Sequence, residues 1–140
     1  MSPALHIIKL CVGADGPADL ERWQRDRFGD GPARHVTRMW PRRQDELLAG
    51  GSIFWVFRGT VLARQRLIAL EEERGHDGIA RCALVLDRHL VRVAAMPRRA
   101  FQGWRYLDPA DAPCDLPEGR AEESPLPPQL ARELAAMGLL

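Results

Sequence analysis

Apolar and polar positions alternate from Leu5 to Val12. Leu5, Ile7 and Lys9 fall on one face, and His6, Ile8 and Leu10 on the other. That period of two predicts a β-strand, ended by Gly13. Gly16-Pro17 opens a helix to about Phe28, because proline suits the first helical position. Leu20, Trp23, Arg27 and Phe28 lie near one stripe of it, and Asp19 and Glu21 sit in its first turn, where the helix dipole favours acids. Gly29-Asp30-Gly31-Pro32 reads as a loop. His35–Trp40 reads as a short strand, and Pro41 to about Ala49 as a helix with Leu47 and Leu48 facing inward, stopped by Gly50-Gly51. Ser52–Arg58, SIFWVFR, is apolar on nearly both faces, which marks a central or barrel strand.

Gly59 allows a turn into a second strand, Val61–Leu70. Leu62, Arg64, Arg66 and Ile68 share one face of it, and Ala63, Gln65 and Leu67 the other. Glu71–Gly78 reads as a charged turn, and Arg81–Asp87 with Leu90–Met96 as a hairpin. Pro97–Leu107 is rich in arginine and aromatic residues, and Asp108–Pro128 is a Pro-rich acidic loop. Pro127–Met137 reads as a last helix. Strands that cluster after two helices, with short antiparallel connections, predict an α+β fold: a small curled antiparallel or mixed β-barrel of about six strands with flanking helices. Residues 1–116 are expected to form one domain. Residues 117–140 are then an acidic, Pro-rich segment and C-terminal helix packed on that domain or trailing it.

Composition narrows the function classes. A chain of 140 residues with 46% apolar content can bury one core, which argues against global disorder. No apolar run approaches the roughly 18 residues of a membrane-spanning helix, and the amino-terminal stretch lacks a basic region before its apolar part. A cytoplasmic protein with no membrane partner is the expectation. The net charge of +1 conceals a strong asymmetry: residues 34–105 carry 14 bases and 7 acids, whereas residues 106–140 carry 2 bases and 7 acids. Nineteen of the 20 basic residues are arginine and only Lys9 is lysine. Arginine binds phosphate and carboxylate in a planar, bidentate fashion, although a GC-rich coding sequence produces the same bias.

Three stretches concentrate the candidate chemistry. HVTRMWPRR, residues 35–43, holds Arg38, Arg42 and Arg43 beside Trp40. Arginines in the first turn of a helix suit an anion, and an exposed indole beside them stacks on a base; a core Trp40 with solvated arginines is the alternative. Arg58, Arg64 and Arg66 lie on or beside the second strand, where Glu71, Glu72 and Glu73 are candidate ion-pair partners. Arg98, Arg99, Phe101, Trp104, Arg105 and Tyr106 interleave cations with rings, as a stacking surface does, or as a segment packed over the end of a barrel does.

Catalytic signals are weak. His6, His35, His76 and His89 show no metal spacing, and there is no phosphate-binding loop, nucleophile elbow or dinucleotide fingerprint. Cys11, Cys82 and Cys114 are widely spaced and odd in number, which points to buried or idle thiols. Cys11 or Cys82 as a nucleophile is a minor alternative. No cofactor and no metal site is indicated.

The strings LCVGADG, HVTRMWPRRQDELLAGGSIFWVFRG, ARQR, RCALVLD and RAFQGWRYLDPADAPCDL resemble the alphaproteobacterial domain of unknown function 1489, from about Leu5 to about Leu116. The resemblance implies a small bacterial protein and carries no activity with it. A helix ending in ELLAGG before an arginine-bearing hairpin is also similar to the ASCH and EVE branches of the PUA-like superfamily. That second resemblance implies a small barrel linked to RNA or modified-base binding, with Arg42, Arg43, Trp55 and Arg58 near the groove.

The leading expectation is RNA, other nucleic-acid or nucleotide binding without chemistry. Arg38, Arg42, Arg43, Arg64, Arg66, Arg98, Arg99 and Arg105 would contact phosphates, and Trp40, Trp104 and Tyr106 would stack bases. One alternative is a small enzyme that clamps an anionic, nucleotide-like substrate with the same arginines. Another is an interaction module whose acidic tail, residues 108–123, folds back on the basic middle or docks a partner.

Overall fold

The computed structural model describes residues 4–116. In chain order these form β1 (His6–Leu10), α1 (Pro17–Phe28), β2 (Ala33–Thr37), α2 (Gln44–Leu48), β3 (Ser52–Phe57), β4 (Thr60–Arg74), β5 (Ala80–Leu86), β6 (Val91–Pro97) and β7 (Trp104–Leu107), then a 3-10 turn at Pro109–Asp111. The expected last helix, 127–137, and the segment from residue 117 lie outside the described residues.

β3 organises the sheet. All six of its residues are buried. Ile53, Trp55 and Phe57 enter one core with Ile7, Leu47, Leu67, Leu84 and Leu86, while Phe54 and Val56 enter a second with Ile8, Val61, Val93 and Leu107. A strand apolar on both faces needs cover on both, and β3 has it. β3 runs antiparallel to β4 on one edge and parallel to β1 on the other. The strand order is β2-β5-β4-β3-β1-β7, and β6 adds to the first half of β4. β4 is long enough to serve two partners on one edge: its first half pairs with β6 and its second with β5, with a register shift between Leu67 and Ala69. Such a shift bends the strand and increases the local twist.

The α+β class holds, but the expected barrel does not close. The seven strands form one mixed sheet whose end strands, β2 and β7, make no ladder with each other. Boundaries also move for local reasons. The Thr37 hydroxyl donates to the Met39 carbonyl at 3.0 Å, which turns the chain and ends β2 before Arg38 instead of at Trp40. α2 covers only Gln44–Leu48, so Arg42 and Arg43 precede it and do not occupy its first turn. Glu71–Arg74 continue β4 against Ala80–Ala83, so the turn lies beyond them, between Arg74 and Ala80. Trp104–Leu107, part of the stretch read only as rich in arginine and aromatic residues, pairs with β1.

α1 begins at Pro17 and ends at Gly29, whose φ of 63° suits glycine and whose N–H donates to the Arg25 carbonyl. Its buried stripe is Leu20 and Gln24; Trp23 is 50% exposed, contrary to the expected stripe. No helix among the described residues is long and apolar enough to cross a membrane.

Candidate functional site

The loop after β2 and the edge strand β7 meet across the open side of the sheet. The Trp104 indole N–H donates to the Met39 carbonyl at 3.4 Å, and the Arg43 backbone N–H donates to the Tyr106 hydroxyl at 3.1 Å. Trp104 and Tyr106 pack edge to face with centroids 5.0 Å apart, and the Arg43 guanidinium lies over the Tyr106 ring at 5.6 Å. The two sheet edges are therefore bridged by side chains where a barrel would have a ladder. Two of the three sequence stretches come together here: Arg38, Met39, Trp40, Arg42 and Arg43 from one, Trp104 and Tyr106 from the other.

Strand alternation explains why only part of the second stretch arrives. Trp104 and Tyr106 face the same side as Ile7, and Arg105 faces the opposite side. There Arg98 and Arg105 each stack on Phe101 at 5.5 Å.

On the loop, Trp40 is 42% exposed and Met39 63%, and Arg38 and Arg42 are exposed without an ion pair among the described residues. The Trp40 indole N–H donates to Gln44, which holds the ring at the start of α2. Arg43 is less available: its Nε and Nη2 both donate to the Glu46 carboxylate. Its backbone N–H, expected to be open to an anion, is spent on Tyr106.

The remaining predicted residues lie elsewhere. Arg64 makes a two-pronged pair with Asp115, both distances 2.7 Å, and reaches the Ser52 hydroxyl at 2.9 Å. That pair holds the Asp115 carboxyl below its usual range. Arg64 thus pairs with Asp115 and not with the expected Glu71–Glu73; Glu71 and Glu73 instead bind Arg34, and Glu72 binds Arg74. Arg58, in the left-handed turn before Gly59, pairs with Asp15. Arg66 and Arg99 are exposed and make no contact with the loop cluster among the described residues. Trp55, expected near a groove surface, is 3% exposed and belongs to the core.

Arg64 borders a cavity of about 910 Å³, together with Arg25, Arg88, His89 and Arg92. Its arginines are largely neutralised in place: Arg88 pairs with Asp30 at 3.4 Å and Arg92 with Glu21 at 3.2 Å, leaving Arg25 without an ion pair among the described residues.

A buried amide network went unnoticed in the sequence. Gln65, fully buried, donates to Gln24 Oε1 at 2.7 Å and to the Asp87 carbonyl at 3.0 Å, and accepts from Gln24 Nε2 at 3.0 Å and from the Trp55 indole at 2.9 Å. These four bonds use all of its donors and acceptors. The available signal was an amide at an inward position of a strand, between Ala63 and Leu67. His35 packs edge to face on Trp55 with centroids 5.3 Å apart, and its Nε2 is buried with no hydrogen-bond partner. Burial, and then the nearby Lys9 charge, lowers its pKa to about 4, so the ring is neutral at physiological pH. Burial pushes the thiols of Cys11 and Cys82 up to about 11. Neither is an activated nucleophile, because the thiolate is the reactive form.

A family model described as "Protein of unknown function (DUF1489)" matches residues 7–140. The chain belongs to this family. No curated protein and no solved structure matches the chain. Membership in DUF1489 carries no activity with it. Among the described residues no three of His, Cys, Asp and Glu converge as metal ligands do.

Proposed function

We propose that this protein binds single-stranded nucleic acid, RNA in particular, across the open side of its sheet. The supporting observation is the convergence of the Arg38–Arg43 loop with Trp104 and Tyr106 of the edge strand. Arg38 and Arg42 meet backbone phosphates, and Trp40, half-exposed and held by Gln44, offers its face to a base. Cationic side chains beside exposed rings are the general means of holding single strands, and stacking on a ring contributes roughly 1–3 kcal/mol per base. Arg43 acts as a positioning residue: its bonds to Tyr106 and Glu46 tie the loop to β7 and α2. Arg98 and Arg105 face the other side of the sheet and play no part in this surface.

The test is a fluorescence-anisotropy titration of short single-stranded and hairpin RNAs at low and moderate salt. Trp40→Ala is expected to weaken binding by roughly 5- to 150-fold. Arg38→Ala and Arg42→Ala are expected to weaken it and to reduce the salt slope, each by about 0.7 for a single strand. Wild-type binding without salt dependence, or binding unchanged in an Arg38→Ala/Arg42→Ala double variant, would refute the proposal.

A further inference from the structure

A second cavity, about 290 Å³, lies between the carboxyl end of β1, the inner side of α1 and strand β2. Its size is near the lower end for small-molecule sites, room for one ring system with a substituent. Trp55, His35, Leu20 and Trp23 supply apolar walls, and Lys9 lines it from β1.

Its chemistry differs from the rest of the molecule in three ways. The register of the sheet aligns Trp55 of β3 with Lys9 of β1, and Lys9 with Trp104 of β7, so the only lysine in the chain stands between two indoles on one face. No aspartate or glutamate lines the cavity, and Lys9 makes no ion pair among the described residues. Arg34, the other cation along it, already binds Glu71 and Glu73. Finally, His35 Nε2 is buried and unpartnered; more than nine in ten buried polar groups find a partner, so an exception calls for an explanation.

We propose that this cavity binds a small planar monoanion, an aromatic or heteroaromatic carboxylate, with its ring between Trp23 and the exposed edge of Trp55, its carboxylate on Lys9, and the His35 ring turned to bring its buried Nε2 onto that carboxylate. A neutral imidazole carries one N–H, so it donates to the carboxylate without adding a second charge. A lysine ammonium is a compact point charge on a flexible stem, suited to one carboxylate at the mouth of an apolar slot. A nucleobase is the poorer fit: Gln24, the one side-chain amide along the cavity, is tied to Gln65, leaving little with which to read a base edge. The cavity lining shares no residue with the loop surface proposed for nucleic acid, although Lys9 neighbours Trp104 of that surface.

The test is calorimetric titration of the full chain with benzoate, nicotinate and indole-3-carboxylate, each against its uncharged carboxamide. At least one carboxylate is expected to bind saturably and at least about tenfold tighter than its amide. Lys9→Met is expected to erase that preference, Lys9→Arg to retain part of it, and His35→Phe to weaken carboxylate binding. Arg42→Ala, on the separate surface, is expected to leave it unchanged. Thermal unfolding of each variant checks the fold, and chemical-shift changes confined to Trp55 and His35 in the wild type report the site even where a variant is unstable. No saturable binding by any carboxylate, or equal binding in Lys9→Met, would overturn the proposal. Tighter binding of free mononucleotides than of every carboxylate would overturn the ligand class.

Discussion

His35 makes this protein acid-sensitive in a way that can be isolated. Its imidazole has a pKa of about 4 in the folded state against an ordinary value of 6.5, chiefly because burial disfavours the cation and secondly because of Lys9. A depressed folded-state pKa means that the unfolded chain binds more protons between these two values. Stability is therefore fully present above pH 6.5 and is lost as the pH falls toward 4. The two pKa values give a loss of about 2 kcal/mol between about pH 7.5 and about pH 5, and about 3 kcal/mol below both. The groups facing the ring do not offset this: Lys9 adds repulsion, and the Cys11 thiol is uncharged through this range. His35→Phe keeps a ring against Trp55 and removes both the titration and the unpartnered nitrogen. At neutral pH the variant should be as stable as wild type or more so, by up to about 1 kcal/mol. Urea unfolding followed by tryptophan fluorescence at the two pH values measures the difference directly. His6, whose pKa is also lowered by burial and by Arg64, contributes acid sensitivity to both proteins and cancels in the comparison. A His35 ring that titrates near 6.5 by NMR, or a variant that loses as much stability as wild type on acidification, would refute this reasoning.

Substitutions at Gln65 and Gly51, each with a comparison variant, probe the frame that holds these sites. Gln65→Leu strands the Trp55 indole, the Gln24 amide and the Asp87 carbonyl, and should cost about 3 kcal/mol or more in chemical denaturation; adding Gln24→Leu should cost less than the sum of the two, because two partners leave together. Gly51→Ala would drive its Cβ into the backbone carbonyls of Leu5 and Leu47, which cannot swing aside, and should cost about 2–3 kcal/mol by the same assay, whereas Gly31→Ala, with ordinary contacts, should stay within about 0.5 kcal/mol of wild type.

Hydrophobic periodicity made most of the fold readable. The two-faced run SIFWVF becomes the doubly covered β3, and the alternation from Val61 to Ile68 becomes the first part of β4. The failures share a cause: the deciding partner lies far away in sequence. Gln24 is buried in place of Trp23 because Gln65, 41 residues on, satisfies its amide, and hydropathy alone ranks tryptophan as the inward residue. β7 was hidden because four residues carry little periodicity and its pairing with β1 spans the chain. The loop cluster was half legible. Exposed arginines beside Trp40 were visible in residues 35–43, but only the curl of the sheet brings Trp104 and Tyr106 to them. Strand alternation then sends Arg105 the other way, and no local pattern marks which half of that stretch joins the site.

Charge was the least legible property, and its resolution bears on the proposed function. Of the 14 arginines between residues 34 and 105, Arg34, Arg43, Arg58, Arg64, Arg74, Arg81, Arg88 and Arg92 form ion pairs with carboxylates. Several partners lie outside that segment: Asp15, Glu21, Asp30 and Asp115 come from the less basic parts of the chain. The segment's excess positive charge is thus largely an artefact of counting along the chain. Arg98 and Arg105 sit on Phe101, away from the loop, which leaves Arg38 and Arg42 as the free cations beside Trp40. Two such contacts release about 1.4 counterions from a single strand, so the salt slope of RNA binding should be shallow, near −1.4. A slope of −5 or steeper would mean that internal ion pairs open to meet phosphates, and the surface would then extend well beyond the loop.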